Sequence, residues 1–469
     1  MKKSTIMTTL GILVWLLIGG CESQQQPEDI TSYSEPDTIA SQDEKALAEY
    51  TEDEPILPEL TGSSGLSDYL AYAALNNPGL EAAFDRFKAA LEQAAQVKFL
   101  PDPRLNYRYF IQEVETRVGP QRHSYGITQV FPWFGKLDLK GDSAAQAANA
   151  ARQRYEAVKL KLFLEVKSAY YEYYYLSRSI AITKENVSLV SHLESVALSR
   201  YRAAAGTHPD VIRAQVEIGK LQDRYLGLVD LRKPLAARLN AALNRPGDAD
   251  IPWPTEIGGE QVDVAENDLS ELLIRENPEL KAMDFEIEQN IRNIELAKKE
   301  YYPDLTFGLN LIDTGTSPVG DPQDNGKNPV IASFSVNLPI WREKYDAGVR
   351  QAKAQYFAAR RDKTEKVNSL GSELKMELYR FRDSERKIGL YRDALVPKAT
   401  ESLKVSESAY RAGNGSFTDL VDAQRILLEF ALSHERAQVD RAVSLARLEM
   451  LVGQKITGSA NKTNVPDVK

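Results

Sequence analysis

The sequence predicts a mainly α-helical protein with a small membrane β part, built as a duplicated half-repeat of long helices and β-hairpins. Three observations carry this. First, "YRAAAGTHPDVIRAQ" (201–215) returns as "YRAGNGSFTDLVDAQ" (410–424), with seven of fifteen positions identical. Second, short segments alternate apolar and polar residues, the period of a strand. Third, long proline-free stretches carry apolar residues at heptad-like spacing.

The duplication runs through the chain. "NNPGL" (76–80) recurs as "ENPEL" (276–280), "LPD" (100–102) as "YPD" (302–304), and "QVFPWFGK" (129–136) as "VNLPIWRE" (336–343). The offset grows from 200 to 202, 207 and 209, as if small insertions collect in loops. A unit of this length is too long for a solenoid repeat. The chain of 469 residues divides into a signal segment (1–20), an acidic leader (21–62), a first repeat (63–246), a linker (247–267), a second repeat (268–455) and a tail (456–469).

The N-terminus reads as a bacterial lipoprotein signal. Lys2 and Lys3 precede a short apolar run ending in small residues, and Ile18-Gly19-Gly20-Cys21 forms a lipobox. Cys21, the single cysteine, is the expected lipidation site; several acyl chains hold firmly where one would be marginal. An ordinary signal peptide with an incidental cysteine is the other reading. Cleavage would remove Lys2 and Lys3 and take the formal charge from −9 to −11, which argues against a nucleic-acid partner. The polar leader after Cys21 has too few apolar residues for a core of its own.

Each repeat has the same order. A helix comes first, roughly 66–100 and 268–301, with a break expected at its Asn-Pro pair. Two alternating segments follow. In "RLNYRYFIQ", Leu105, Tyr107, Tyr109 and Ile111 share a face; in "LTFGLNL" and "ASFSVNL" the alternation is cleaner; "HSYGITQVF" suggests a phase slip near Gln129. Next comes a very long helix, about 137–205 and 345–412, with Val158, Leu162, Val166, Ala169, Tyr173, Leu176, Ile180 and Val187 on its seam. Nearly 70 residues at 1.5 Å each span about 100 Å. Pro397 should kink the second copy. A glycine turn then leads to a last helix, 209–244 and 418–452, with Pro209 in the first turn.

Strands of nine to eleven residues with one apolar face fit membrane β-spans. The polar loop 313–329 suits an exposed end. Trp133, Phe134 and Trp341 stand where strand gives way to helix, as membrane-interface anchors do. Soluble hairpins covered by helices would give the same alternation. Four strands cannot close a barrel, and open edges cannot face lipid, so several chains must contribute. Two would give eight strands and three would give twelve.

The two-copy order of helix, hairpin, long helix, glycine turn and helix resembles the TolC-type outer-membrane efflux proteins over about residues 63–455. The "FPWFGKL" and "LPIWREKY" boundaries look most like the heavy-metal branch, paired with cation-exporting RND pumps. The resemblance implies a homotrimer in outer-membrane lipid, with a 12-stranded β-barrel and an α-helical periplasmic tunnel, served by a periplasmic adaptor and an inner-membrane RND pump. It implies that the turns at Gly206, Thr207, Gly415 and Ser416 meet the adaptor. It places Asp419 and Asp422 at the periplasmic aperture, and Tyr410 at a position that helps hold the tunnel shut. Three apart at a helix start, the two carboxylates face roughly one way, and three copies would crowd six of them together. The first repeat has Asp210 and Arg213 instead, and Gly415 stands where relatives carry a basic latch residue. Asp210 and Asp419 could equally stabilise a helix start through its dipole.

Other chemistry finds no support. The histidines His123, His192, His208 and His434 lack ligand spacing, and the mature chain has three methionines. "GDPQDNG" has the wrong spacing for a calcium loop. No phosphate loop or nucleophile elbow appears, so no catalytic residue, cofactor or metal site is expected. The expected function is a passive exit duct of a tripartite efflux system, conducting substrates such as heavy-metal cations. A type I protein-secretion duct and a lipid-anchored coiled-coil structural protein of the envelope are the alternatives.

Overall fold

The computed structural model describes residues 60–258 and 265–456. Cys21, the signal segment, most of the leader and the tail from 457 lie outside the described residues. In chain order the elements are α1 (Leu66–Asn76), α2 (Pro78–Gln96), β1 (Arg104–Val114), β2 (Gln121–Phe131), α3 (Lys136–Arg202), α4 (His208–Asp230) and α5 (Arg232–Ala242). The second repeat follows with α6 (Glu266–Glu276), α7 (Pro278–Lys299), β3 (Leu305–Thr314), β4 (Val330–Val336), α8 (Arg342–Leu390), a π turn (Tyr391–Leu395), α9 (Val396–Ala412) and α10 (Phe417–Val452).

The Asn-Pro pairs do the same work twice. Asn77 and Asn277 each cap the following helix, accepting from the N–H of Leu80 and Leu280 at 3.1 Å, with the proline in the first turn. Each also donates its amide to the end of its repeat's last helix: Asn77 to the Ala242 carbonyl (3.1 Å), Asn277 to that of Leu451 (2.8 Å). The pair that breaks one helix therefore docks another.

The long first helix is continuous for 67 residues. Its buried seam follows a seven-residue period through Leu162, Ala169, Leu176, Thr183, Val190 and Ala197. Beyond Leu176 the seam departs from expectation. Ser179, Thr183 and Asn186 are buried there, while Ile180 and Val187 are half-buried. The partner helix explains part of this: Gln424 of α10, fully buried, donates to Asn186 Oδ1 at 2.9 Å.

The last helix of the first repeat is not continuous to 244. It breaks at Leu231, because Pro234 has no N–H for the Asp230 carbonyl and its ring crowds that oxygen. At Pro397 the interruption takes the form of the π turn just before it. The growth of the offset is also not confined to loops. Its last step, 207 to 209, falls inside the long helix, where the second copy carries the π turn. The first part of the linker joins the core: Ile251 is buried, Ile257 packs against the same cluster, and Trp253 stacks on Tyr173 at 4.5 Å.

The four strands form one antiparallel sheet in the order β1-β2-β3-β4. Cross-strand pairs put Leu105 beside Ile127, Ile127 beside Leu309 and Leu309 beside Ala332, so the apolar residues of all four strands share a face. Gly126, Gly308 and Ser333 lie on the opposite, polar face. The phase slip expected at Gln129 is absent. Gln129 pairs regularly with Phe307, and its amide reaches the Pro101 carbonyl at 2.7 Å; the register shifts lie at the other end of β2. β4 has seven residues, fewer than the nine to eleven expected. The loop after β3 leans on the loop after β1: Gly315 and Gly326 donate to the Pro120 and Val118 carbonyls at 2.7 Å. In a single chain β1 and β4 are free edges and no barrel closes. Among the described residues no helix is long and apolar enough to cross a membrane.

Candidate functional site: the paired helix turns

The stretch said twice folds twice into one shape. At the first turn the Ala205 N–H donates to the Arg200 carbonyl (2.9 Å) and Ala204 to that of Tyr201 (3.0 Å). At the second, Asn414 donates to Ala409 (2.9 Å) and Gly413 to Tyr410 (3.1 Å). Both are Schellman ends. The left-handed residue is Ala204 (φ 56°) in one and Gly413 (φ 84°) in the other. The shared glycines, Gly206 and Gly415, serve another need. A Cβ on Gly206 would sit 3.0 Å from Arg200 Cβ, and one on Gly415 3.1 Å from Ala409 Cβ. An aromatic pair closes each turn: Tyr201 with His208 (5.2 Å between rings), Tyr410 with Phe417 (5.3 Å).

The turns touch each other through Tyr410, Asp210 and Arg213, already singled out, and through Arg200, which was not. Arg200 lies over the Tyr410 ring at 4.7 Å and donates to the Ala205 carbonyl at 2.7 Å. Its Nε and Nη1 are buried without hydrogen bonds, as a guanidinium flattened on a ring would be. The Tyr410 hydroxyl, on a side chain buried to 3% exposure, donates to Asp210 Oδ2 at 3.4 Å. Burial first, and the Asp210 charge second, raise its pKa above the ordinary tyrosine value. Arg213 donates to Thr418 Oγ1 at 2.9 Å. One turn further along, Arg425 holds buried Glu217 through two hydrogen bonds (3.1 and 2.5 Å), which lowers the pKa of the Glu217 carboxyl. Arg200 stands where the second copy has Ala409, and that difference alone did not mark it in the sequence.

The two acidic turns differ. Thr207 begins α4 without a side-chain cap, and Asp210 is engaged by Tyr410 and lies 3.9 Å from Arg213. Ser416 caps α10, its hydroxyl accepting from the Asp419 N–H at 3.1 Å. The capping bond therefore belongs to Ser416 and not to the carboxylate. Asp419 is exposed, and among the described residues no ion pair joins it to a basic side chain; Asp422, also exposed, lies 3.5 Å from Arg425.

At the opposite ends of the long helices Phe134 and Trp341 are exposed (77% and 74%), while Trp133 is half-covered by Tyr302, stacked at 5.3 Å. Behind Trp133, the Lys136 ammonium is buried against Asp304 Oδ1 (2.9 Å), the Tyr302 carbonyl (3.0 Å) and Glu300 (3.6 Å). No group of three His, Cys, Asp or Glu side chains among the described residues is placed to hold a metal ion.

The sequence model of a family described as outer membrane efflux protein matches residues 70–245 and again 269–454, one match per repeat. The chain belongs to the outer membrane efflux protein family. It is therefore a passive channel of the outer membrane that extends into the periplasm, and not an enzyme. Members of this family are homotrimers that work with a periplasmic adaptor and an inner-membrane RND pump. The reading as a coiled-coil structural protein falls with that. This efflux protein is similar to nodulation protein T of Rhizobium leguminosarum bv. trifolii, 22% identical over 83% of this chain and 85% of the other. It is similar to the cobalt-zinc-cadmium resistance protein CzcC of Cupriavidus metallidurans, 23% identical over 80% of this chain and 87% of the other. Among solved structures, CusC matches its fold with a TM-score of 0.72 at 15% identity, over 85% of this chain and 97% of that one.

Proposed function

We propose that the paired turns are the periplasmic entrance of the channel, with Asp419 and Asp422 as its cation-facing aperture and Tyr410 as part of its closure. The carrying observation is the asymmetry between two otherwise matching turns. Asp210 is spent on Tyr410, whereas Asp419 is exposed with its capping duty taken by Ser416. Three copies of the exposed Asp419–Asp422 pair in one constriction attract cations and concentrate divalent ions, Asp419 more than Asp422, which has Arg425 at 3.5 Å. The turns around Gly206, Thr207, Gly415 and Ser416 are the adaptor contacts, Trp133, Phe134 and Trp341 the membrane-interface anchors, and Cys21 the lipid anchor. The similarity to CzcC supports heavy-metal cations as cargo. Among the described residues no cluster is placed to hold a metal ion, so on this reading selection of the cargo belongs to the pump.

The test is single-channel recording in planar bilayers with Asp419→Ala/Asp422→Ala. Reduced cation preference and relief of divalent block are expected. Unchanged selectivity and block would make the pair structural. For the cargo, loss of cobalt, zinc or cadmium tolerance on deletion, restored by the intact chain, is the supporting result.

A further inference from the structure

We propose that the seam between neighbouring protomers repeats the strand register of the seam inside each protomer. This rests on the trimeric channel reading and goes beyond it by naming the residues that meet.

The internal repeat supplies the rule. Residues of β1 correspond to β3 with an offset of 202, and residues of β2 to β4 with an offset of 207. Those offsets carry the register of the first hairpin onto that of the second without error: Arg104↔Thr128 becomes Thr306↔Ser335, and Tyr107↔Tyr125 becomes Leu309↔Ala332, both observed pairs. Between the repeats, β2 pairs with β3 through Phe131↔Leu305, Gln129↔Phe307 and Ile127↔Leu309. Carried forward one repeat, this joins β4 of one chain to β1 of the next through Val336↔Leu105, Phe334↔Tyr107 and Ala332↔Tyr109.

Chemistry agrees with the register. Leu105, Tyr107 and Tyr109 are exposed on the free edge β1 at 81%, 58% and 60%; Phe334 and Val336 are exposed on the free edge β4 at 60% and 39%. The register sets apolar opposite apolar along the lipid face. A slip of one residue would set Phe334 opposite Asn106 or Arg108.

The apolar contact below the sheet follows the same rule. Within the chain, Trp133 covers Tyr302. The corresponding residues between chains are Ile340 and Leu100, exposed in the protomer at 66% and 45%.

The experiment is disulfide trapping in the full chain in outer membranes, with the parent chain, whose one cysteine is Cys21, as control. Tyr107→Cys/Phe334→Cys should give covalent trimers on denaturing gels, because directly opposite residues lie within disulfide reach. Leu105→Cys/Phe334→Cys and Tyr109→Cys/Phe334→Cys should give at least tenfold less. Preferential trapping by either shifted pair, or none by any pair in a chain that is trimeric on native gels, overturns the register. Monomers on native gels would instead overturn the trimeric reading.

Discussion

The Tyr410 hydroxyl, at the end of α9, donates to Asp210 at the start of α4, and so ties together turns 200 residues apart in sequence. The bond is long, but its donor is buried and its acceptor charged. Losing such a bond is worth about 1 kcal/mol, about fivefold in an open-to-closed ratio. Tyr410→Phe should therefore raise the open probability of single channels about fivefold. Because the Tyr410 pKa is raised, its contribution is complete below the ordinary value of 10.0 and is lost as pH rises through the higher folded value. Alkaline activation in the parent chain, absent in Tyr410→Phe, is the expected signature.

The two turns offer a matched pair of backbone substitutions. Ala204 holds φ 56°, where the second copy has Gly413 at φ 84°. Ala204→Gly should lower the strain of its turn by about 0.5–1 kcal/mol, and Gly413→Ala should raise it similarly. Amide hydrogen exchange at the turns, slower in the first variant and faster in the second, checks both. Gly206→Ala should also destabilise, for a different reason: its new Cβ meets Arg200 Cβ and the Tyr201 nitrogen.

What the sequence made legible follows from chemistry that is local. Asn77-Pro78 and Asn277-Pro278 announce helix breaks because a proline and a capping amide act within one turn. Strand alternation is local too, and the apolar face of the sheet was readable from it. What was not legible depends on partners far away in the chain. Asn186 is buried because Gln424 meets it, and Arg200 matters because Tyr410 lies beneath it. The break at Leu231 was readable from Pro234 and was missed because the repeat pattern suggested one helix. At the paired turns, the sequence singled out Asp210, Asp419 and Asp422, but only the fold separates Asp210, engaged by Tyr410, from Asp419, which among the described residues makes no ion pair.

Glu217 gives a prediction at acid pH. It is buried to 6% exposure, and its pKa is lowered chiefly by hydrogen bonding to Arg425. A lowered carboxylate contributes stability above its unfolded value, and loses it as pH falls through the folded value. The parent trimer should thus lose thermal stability below its ordinary carboxyl range near 4.5 more steeply than Glu217→Gln. Since Arg425 is half exposed, the difference at neutral pH should be modest, about 1 kcal/mol. Parallel acid profiles in the two proteins would assign no role to this pair.

The junction of strand and helix should be less forgiving. Lys136 keeps only 3% of its side chain exposed, and Asp304 both accepts from it and takes the Trp133 N–H at 2.9 Å. Asp304→Ala removes both contacts and leaves a buried ammonium with Glu300 at 3.6 Å and one carbonyl. Breaking a buried pair from one side costs about 3–5 kcal/mol, and the partial exposure of Asp304 places this site near the lower figure. Lys136→Met, which removes the charge and keeps the length, should cost less, because nothing charged is then left buried. Asp304 would retain its bond to Trp133. The ranking, Asp304→Ala well below Lys136→Met in thermal unfolding of the detergent-solubilised protein, separates an uncompensated charge from a simple loss of contact. The reverse order would show that Asp304 is solvated well enough to be dispensable and that Lys136 acts through its packed stem.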